Sequence, residues 1–203
     1  TEAHGDTEAV ALVDRFVAAT RASVGDTGRL VKSIGDAVLV AFPEPAAALN
    51  AICDLFARCL AEEGFPVLRA GAHHGPVVER DGDVFGATVN LAARVAAQAF
   101  GGQCLTTQPI ADAARSLGLA VNELGEVGLR NVAEPVLLFQ VELGFEPAGV
   151  VVDPVCRMQV DRRKAAGRLR HGSVDFWFCS LACAAKFASA PDVHSATAGA
   201  DDA

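Results

Sequence analysis

The chain has no apolar run approaching the roughly 20 residues of a membrane-spanning helix, and its first residues do not read as a signal peptide. A spanning segment is therefore excluded and a cytoplasmic fragment is expected. Cations are scarce: 17 Lys and Arg stand against 25 Asp and Glu, a net charge of −8. Nucleic acid is excluded as the main partner, because phosphate backbones are held by clustered Lys and Arg. A small anionic ligand would need local cations or metal ions. The pattern G-x-x-x-x-G-K-[ST] is absent, which removes a P-loop as a phosphate cradle. The first residue is Thr1, not Met, which suggests an upstream segment.

What is present suits one medium domain and a small appendage, since 203 residues can bury a sizeable core. Six cysteines fall into two groups. Cys53, Cys59 and Cys104 lie in apolar surroundings and read as small buried hydrophobes of a reducing compartment. Cys156, Cys179 and Cys183 cluster with C-x22-C-x3-C spacing.

In chain order, Asp6 to about Gly25 reads as a capped amphipathic helix. Arg29–Lys32 and Ala37–Phe42 make a hairpin across Gly35-Asp36, and Pro43 and Pro45 open a second helix that Gly64-Phe65-Pro66 stops. Val67–Val78 reads as a strand running into a turn at Glu79–Asp83, and Gly86–Ala99 as a helix. Cys104–Thr106 is a short strand, Gln108–Leu117 a helix, and Val121–Leu124 and Val136–Val141 are closing strands. This order fits an α+β fold with helices over one face of a mainly antiparallel sheet.

The polar residues sit at telling places in that pattern. Lys32 and Asp36 flank Ile34-Gly35, so a cation and a carboxylate stand at the mouth of a hairpin. Asn90 and Arg94 are four apart on a helix and project from one face. His73-His74 resembles a metal pair, but neighbours on a strand point to opposite faces, so both are read as structural.

The runs G-R-L-V-K-S-I-G-D-A-V-L-V-A-F, from Gly28, and D-G-D-V-F-G-A-T-V-N-L-A-A-R-V, from Asp81, resemble the class III adenylate/guanylate cyclase catalytic domain. The resemblance covers most of residues 1–143, and it implies a ferredoxin-like cyclase fold lacking its first strand. In that family the first strand carries an F-x-D-x-x-G-F-T motif whose Asp is one of two metal carboxylates; the second matches Asp36. The resemblance further implies that Asn90 orients the ribose and that Arg94 stabilises charge on the five-coordinate phosphorus. Lys32 and Asp83 match the base-reading positions with an adenine-type pair, so ATP is the expected substrate, with cyclic AMP and pyrophosphate as products. Mg2+ or Mn2+ is the implied cofactor, in a two-metal attack of the ribose 3'-hydroxyl on the α-phosphate. A head-to-tail homodimer, with sites shared between subunits, is the implied assembly. One position departs from the family: Leu137 follows Glu134-Pro135-Val136, where relatives often carry Arg or Lys to meet the triphosphate.

Residues 144–150 read as a linker. Beyond it, V-D-P-V-C-R-M-Q-V and H-G-S-V-D-F-W-F-C-S-L-A-C-A-A-K-F resemble the YHS module of the TRASH-like metal-binding group, over residues 151–193. Cys156, Cys179 and Cys183 would converge on a soft ion such as Zn2+ or Cu+, with no fourth protein ligand evident. Phe176, Trp177, Phe178 and Phe187 would form its small core, and residues 194–203 a flexible tail. The expectation is an intracellular signalling cyclase whose C-terminal metal or redox state influences the catalytic domain. The alternative is a catalytically inactive, cyclase-like regulatory or dimerisation module with a metal-sensing appendage.

Overall fold

The computed structural model describes residues 6–62, 64–144 and 150–198. Its elements are α1 (Asp6–Val24), β1 (Arg29–Ile34), β2 (Ala37–Ala41), α2 (Pro45–Ala61), β3 (Ala70–Ala72), β4 (Val78–Arg80), β5 (Asp83–Phe85), α3 (Ala87–Gln98), β6 (Cys104–Thr106), α4 (Gln108–Ser116), β7 (Val121–Val127) and β8 (Val136–Val141). These are followed by β9 (Val150–Val152), β10 (Gln159–Asp161), β11 (Gly167–His171), β12 (Val174–Phe178), α5 (Leu181–Ser189) and α6 (Pro191–Ala198). No helix among the described residues is long and apolar enough to cross a membrane.

The chain divides into two compact units, the larger made of Phe16–Phe56 and Arg69–Gly144. Its centre is a four-stranded sheet in the order β3-β6-β8-β7, with β3 and β6 parallel and the other pairs antiparallel. All three residues of β6 are buried. Because successive strand residues point to opposite faces, Cys104 packs with Leu49, Ile110 and Ala114, whereas Leu105 packs with Val95 and Leu138. Helices therefore cover both faces of this sheet, not the single face expected from the order of elements. Each buried Leu, Ile or Val on either face contributes roughly 1.5–3 kcal/mol.

The β1–β2 hairpin forms its own two-stranded sheet, turning at Gly35, whose φ is +61°. The expected single strand Val67–Val78 is broken into β3 and β4, because Gly75-Pro76 interrupts it and Pro76 has no N–H to give a ladder. In place of an open turn, β4 and β5 form a hairpin with Arg80 opposite Asp83. Its two central residues, Asp81 (φ +52°) and Gly82 (φ +78°), are both left-handed, as a type I′ turn requires.

The smaller unit comprises the described residues of Thr1–Arg15, Ala57–Leu68 and Phe145–Ala203. Here β9 pairs with β10 and β11 with β12, both antiparallel. The segment Phe65–Val67 lies alongside the first hairpin: Gln159 N–H donates to Phe65 O (3.1 Å) and Val67 N–H to Arg157 O (3.1 Å). The core gathers Phe176, Phe178, Cys183 and Phe187, and the Phe187 ring lies 4.7 Å from that of Phe176 and 5.2 Å from that of Phe178. Trp177 alternates to the other face of β12, where the Arg168 guanidinium covers its ring at 5.1 Å, so it is not in the core. Residues 194–198, expected as tail, belong to α6; most of the linker, 145–149, and the end of the tail, 199–203, lie outside the described residues.

Candidate functional site

Helix α3 is held against the sheet at one tight crossing. A Cβ on Gly71 would lie 2.1 Å from Ala96 N and 2.4 Å from Ala96 Cα, so only glycine lets α3 come this close to β3. The helix starts at Gly86, whose φ of 127° and ψ of 179° fall in a region that is essentially glycine-only. The Thr88 hydroxyl then donates to Pro76 O (2.6 Å) and ties the first turn to the preceding loop.

So positioned, α3 presents Asn90 and Arg94 to one cleft of about 370 Å³, lined also by Ala87, Leu91, Asn131 and Val132. That volume lies within the roughly 300–1,000 Å³ of small-molecule sites. Arg94 is half-buried, and its guanidinium has no hydrogen-bond or ion-pair partner among the described residues. A guanidinium left unpaired in a cleft is available to an anionic ligand.

The other two nitrogen- and oxygen-bearing candidates form a second pair. Lys32 Nζ donates to Asp83 Oδ2 at 2.6 Å, and the Val84 N–H donates to Asp83 Oδ1 at 2.8 Å. The Lys32 hydrogen bond, and after it the Val84 amide, holds the Asp83 carboxyl below its ordinary range. Lys32 also lies 5.8 Å over the Phe85 ring. Arg29 donates to Gly82 O and pairs with Glu79 (3.3 Å), fastening β1 to the β4–β5 turn. Asp36 is exposed at the tip of the β1–β2 hairpin. Neither it nor Lys32 and Asp83 line the Asn90–Arg94 cleft.

Sequence reasoning missed Asn131 and Val132. Their signal was faint: Asn131 is a left-handed residue (φ +57°) between two strands, a position that Asn fills readily. Leu137, flagged as a lost cation, sits half-buried in β8 opposite Glu126. The cation of that stretch is Arg130, exposed and next to Asn131. His73 is half-buried with Nδ1 hydrogen-bonded to Thr107 Oγ1 (2.7 Å), whereas His74 is exposed; burial, and then His74, keeps the His73 pKa below the usual imidazole value. Burial likewise pushes the Cys104 thiol up to about 12 and the Cys59 thiol up to about 11, which suits inert core residues.

In the smaller unit, Cys156, Cys179 and Cys183 meet. Sγ of Cys156 is 3.4 Å from that of Cys179, which is 3.8 Å from that of Cys183. Asp153 joins them, with all four potential ligand atoms within 4.8 Å of one another. Burial pushes the Cys156 and Cys179 thiols upward, and the nearby Asp153 adds to this. Ser180 caps α5 by accepting from the Cys183 N–H (3.2 Å), which fixes Cys183 one turn into the helix. This is the one group of three or more such metal-ligating side chains among the described residues.

Comparison with known proteins bears on the larger unit. No family model matches the chain. It is 36% identical over 123 residues to the pH-sensitive adenylate cyclase MT1302 of Mycobacterium tuberculosis, across 59% of this chain and 31% of that protein. It is 35% identical over 144 residues to an adenylate cyclase of Glutamicibacter nicotianae, across 70% of this chain and 35% of that protein. The chain thus spans about a third of the length of these curated relatives. Among solved structures, adenylate cyclases of Trypanosoma brucei in their monomeric state superpose with a TM-score of 0.55 at 24% identity, over 64% of this chain and 76% of theirs. The adenylate/guanylate cyclase/hydrolase of Silicibacter pomeroyi does so with a TM-score of 0.51 at 25% identity, over 60% of this chain and 75% of its own. The chain therefore carries a cyclase-type domain with the class III cyclase fold, and adenylate cyclases are among its homologues.

Proposed function

We propose that the chain is the catalytic part of an adenylate cyclase, converting ATP to cyclic AMP and pyrophosphate. The observation that carries this reading is the Asn90–Arg94 cleft, in which an unpaired guanidinium and an amide share one helix face. In the reaction the ribose 3'-oxygen bonds to the α-phosphorus, its proton leaves, and the bond from the α-phosphorus to the bridging oxygen breaks to release pyrophosphate. Arg94 meets the negative charge that grows on the α-phosphoryl oxygens, where a preorganised cation is most effective. Asn90 holds the ribose so that the hydroxyl is in line, and Arg130 gives the same loop as Asn131 a cation for the phosphates.

The Lys32–Asp83 pair supports adenine over guanine. With one N–H of Lys32 engaged by Asp83, the remaining donors suit adenine N1, and the free lone pairs of Asp83 suit the exocyclic amino group. Guanine presents the reverse pattern at these edges.

Mg2+ or Mn2+ would acidify the 3'-hydroxyl and offset leaving-group charge, with Asp36 as one ligand. A single exposed carboxylate does not hold two ions, so the described residues do not complete that site and no step above passes through a metal. Asp36 lies outside the cleft lining, which suits a head-to-tail homodimer in which it serves the partner's cleft. For the smaller unit, the meeting of three thiols within hydrogen-bonding reach supports a YHS-like soft-metal site.

The test is cyclic AMP formation from ATP with Mn2+ by the 203-residue chain and its Arg94→Ala and Lys32→Glu variants. Arg94→Ala should lower kcat by about 10²–10³-fold, and Lys32→Glu should lower the ATP-to-GTP preference at least about tenfold. Equal output from all three rejects the assignment. No product from any of them fits the inactive regulatory module and equally a metal site left with the single carboxylate of Asp36.

A further inference from the structure

The three thiols of the smaller unit converge with a group that the cysteine spacing does not announce. Asp153 is fully buried, at 0% exposure. Its Oδ1 accepts from the N–H groups of Val155 (2.8 Å) and Cys156 (3.3 Å), and its Oδ2 from that of Cys179 (2.9 Å). A carboxylate offers about four lone-pair sites; the three amides leave one, on Oδ2, and the Cys179 thiol, which also hydrogen-bonds the carboxylate, is beside it. No Lys, Arg or His pairs with Asp153 among the described residues. A buried anion without a cationic side chain is stable chiefly when hydrogen-bonded or bound to a metal, and here the other potential ligands are already beside it.

Resting on the metal-binding reading of this unit, we propose that Asp153 is the fourth ligand, through Oδ2, of a tetrahedral three-cysteine, one-aspartate centre for a divalent ion of the zinc type. The spacing suits it: Zn–S bonds of about 2.3 Å in a tetrahedron set sulfurs about 3.8 Å apart, against 3.4 and 3.8 Å here. The chemistry suits it too, since Cu+ is satisfied by thiolates alone whereas an oxygen beside three thiolates fits a borderline divalent ion. Binding replaces three S–H bonds by three S–metal bonds and releases three protons, while Asp153 adds an oxygen as the fourth ligand atom. The carboxylate then has two tasks, because the N–H groups it gathers come from the Asp153–Cys156 turn and from the end of β12, the two segments that carry Cys156 and Cys179.

The experiment is titration of the reduced, metal-free 203-residue chain with Co2+ and then Zn2+, for the parent and Asp153→Asn. The parent should take one equivalent and show the visible absorption of tetrahedral, thiolate-bound Co2+. Asp153→Asn should bind Zn2+ more than about 100-fold more weakly, beyond the roughly 10–100-fold of an outer-shell partner, with a shifted Co2+ spectrum. A smaller loss with an unchanged spectrum overturns the ligand role and leaves the metal site standing. If Asp153→Asn fails to fold, as read from Trp177 fluorescence, X-ray absorption of the parent's Zn2+ complex decides. Three sulfurs at about 2.3 Å plus one oxygen at about 2.0–2.2 Å support the proposal, and sulfur alone overturns it. Binding of Cu+ by three sulfurs with no uptake of Zn2+ or Co2+ also overturns it, whereas no uptake of any of the three ions with all thiols reactive sinks the metal reading itself.

Discussion

Substituting Gly71 by alanine tests how helix α3, which carries Asn90 and Arg94, is held. The new methyl group would lie 2.1 Å from Ala96 N, 2.4 Å from its Cα and 2.7 Å from its Cβ. Ordinary contacts are about 3.5–4.0 Å, so β3 and α3 must part by roughly 1–1.5 Å. The two nearest atoms are backbone, so no rotamer change relieves the clash. Overpacking of this kind costs about 1–3 kcal/mol, and at about 2–4 °C per kcal/mol the Tm should fall by about 2–12 °C. Asn90 and Arg94 ride on the helix that is pushed away, and a misplacement of about 1 Å can cost about 100-fold in rate.

Thermal unfolding and cyclic AMP formation should be measured on Gly71→Ala and on two controls. Gly128→Ala meets nothing within 4 Å and needs no left-handed backbone, so it should be neutral within about 0.5 kcal/mol. Adding Ala96→Gly to Gly71→Ala removes only the third contact and should not rescue it. A Gly71→Ala protein with the parent's Tm and turnover would refute the crossing; rescue by Ala96→Gly would show that the side chain, not the backbone, sets it.

Three further outcomes follow from the same geometry. Because the folded state lowers the His73 pKa, the unfolded chain binds that proton first, so stability should fall as pH drops from about 6.5 toward the folded value; His73→Gln should flatten the Tm-against-pH curve in that window, and an unchanged slope would exclude His73 as its source. Asp83 stays ionised below its ordinary 3.8 because of Lys32; its contribution is present above the unfolded pKa and is lost as pH falls through the folded one, so in Lys32→Ala its carboxyl shift, followed by NMR, should titrate closer to 3.8. Phe187→Ala empties the aromatic core of the smaller unit and should cost about 3–5 kcal/mol, read by denaturant unfolding with the chain's one tryptophan, Trp177, as probe; a loss under about 1 kcal/mol would mean that the site collapses onto the gap.

Legibility in the sequence followed the range of the forces involved. Strands β6 and β8 and helix α4 were readable to within a residue because each is a short apolar pattern closed by Gly, Pro or a capping residue. The long strand through residues 67–78 was misread because apolar content outweighed Gly75-Pro76, which breaks a ladder locally. Two-sided coverage of the sheet was hidden for another reason. Cys104 and Leu105 are both apolar, and a short apolar run cannot say which neighbour covers which face.

The site divides along the same line. Asn90 with Arg94 was legible because residues four apart on a helix share a face, and Lys32 with Asp83 was legible only through the cyclase resemblance, since 51 residues separate partners that meet at 2.6 Å. Asp153 was illegible because Asp before Pro is an ordinary turn residue. Nothing local reveals that it will be fully buried and will accept N–H groups from Val155, Cys156 and Cys179. Burial decides its chemistry: the same carboxylate exposed at a turn would be solvated by water, whereas enclosed beside three sulfurs it must either be held by amides or bind a cation. The amides occupy three of its lone pairs, and the proposed ion would take the fourth.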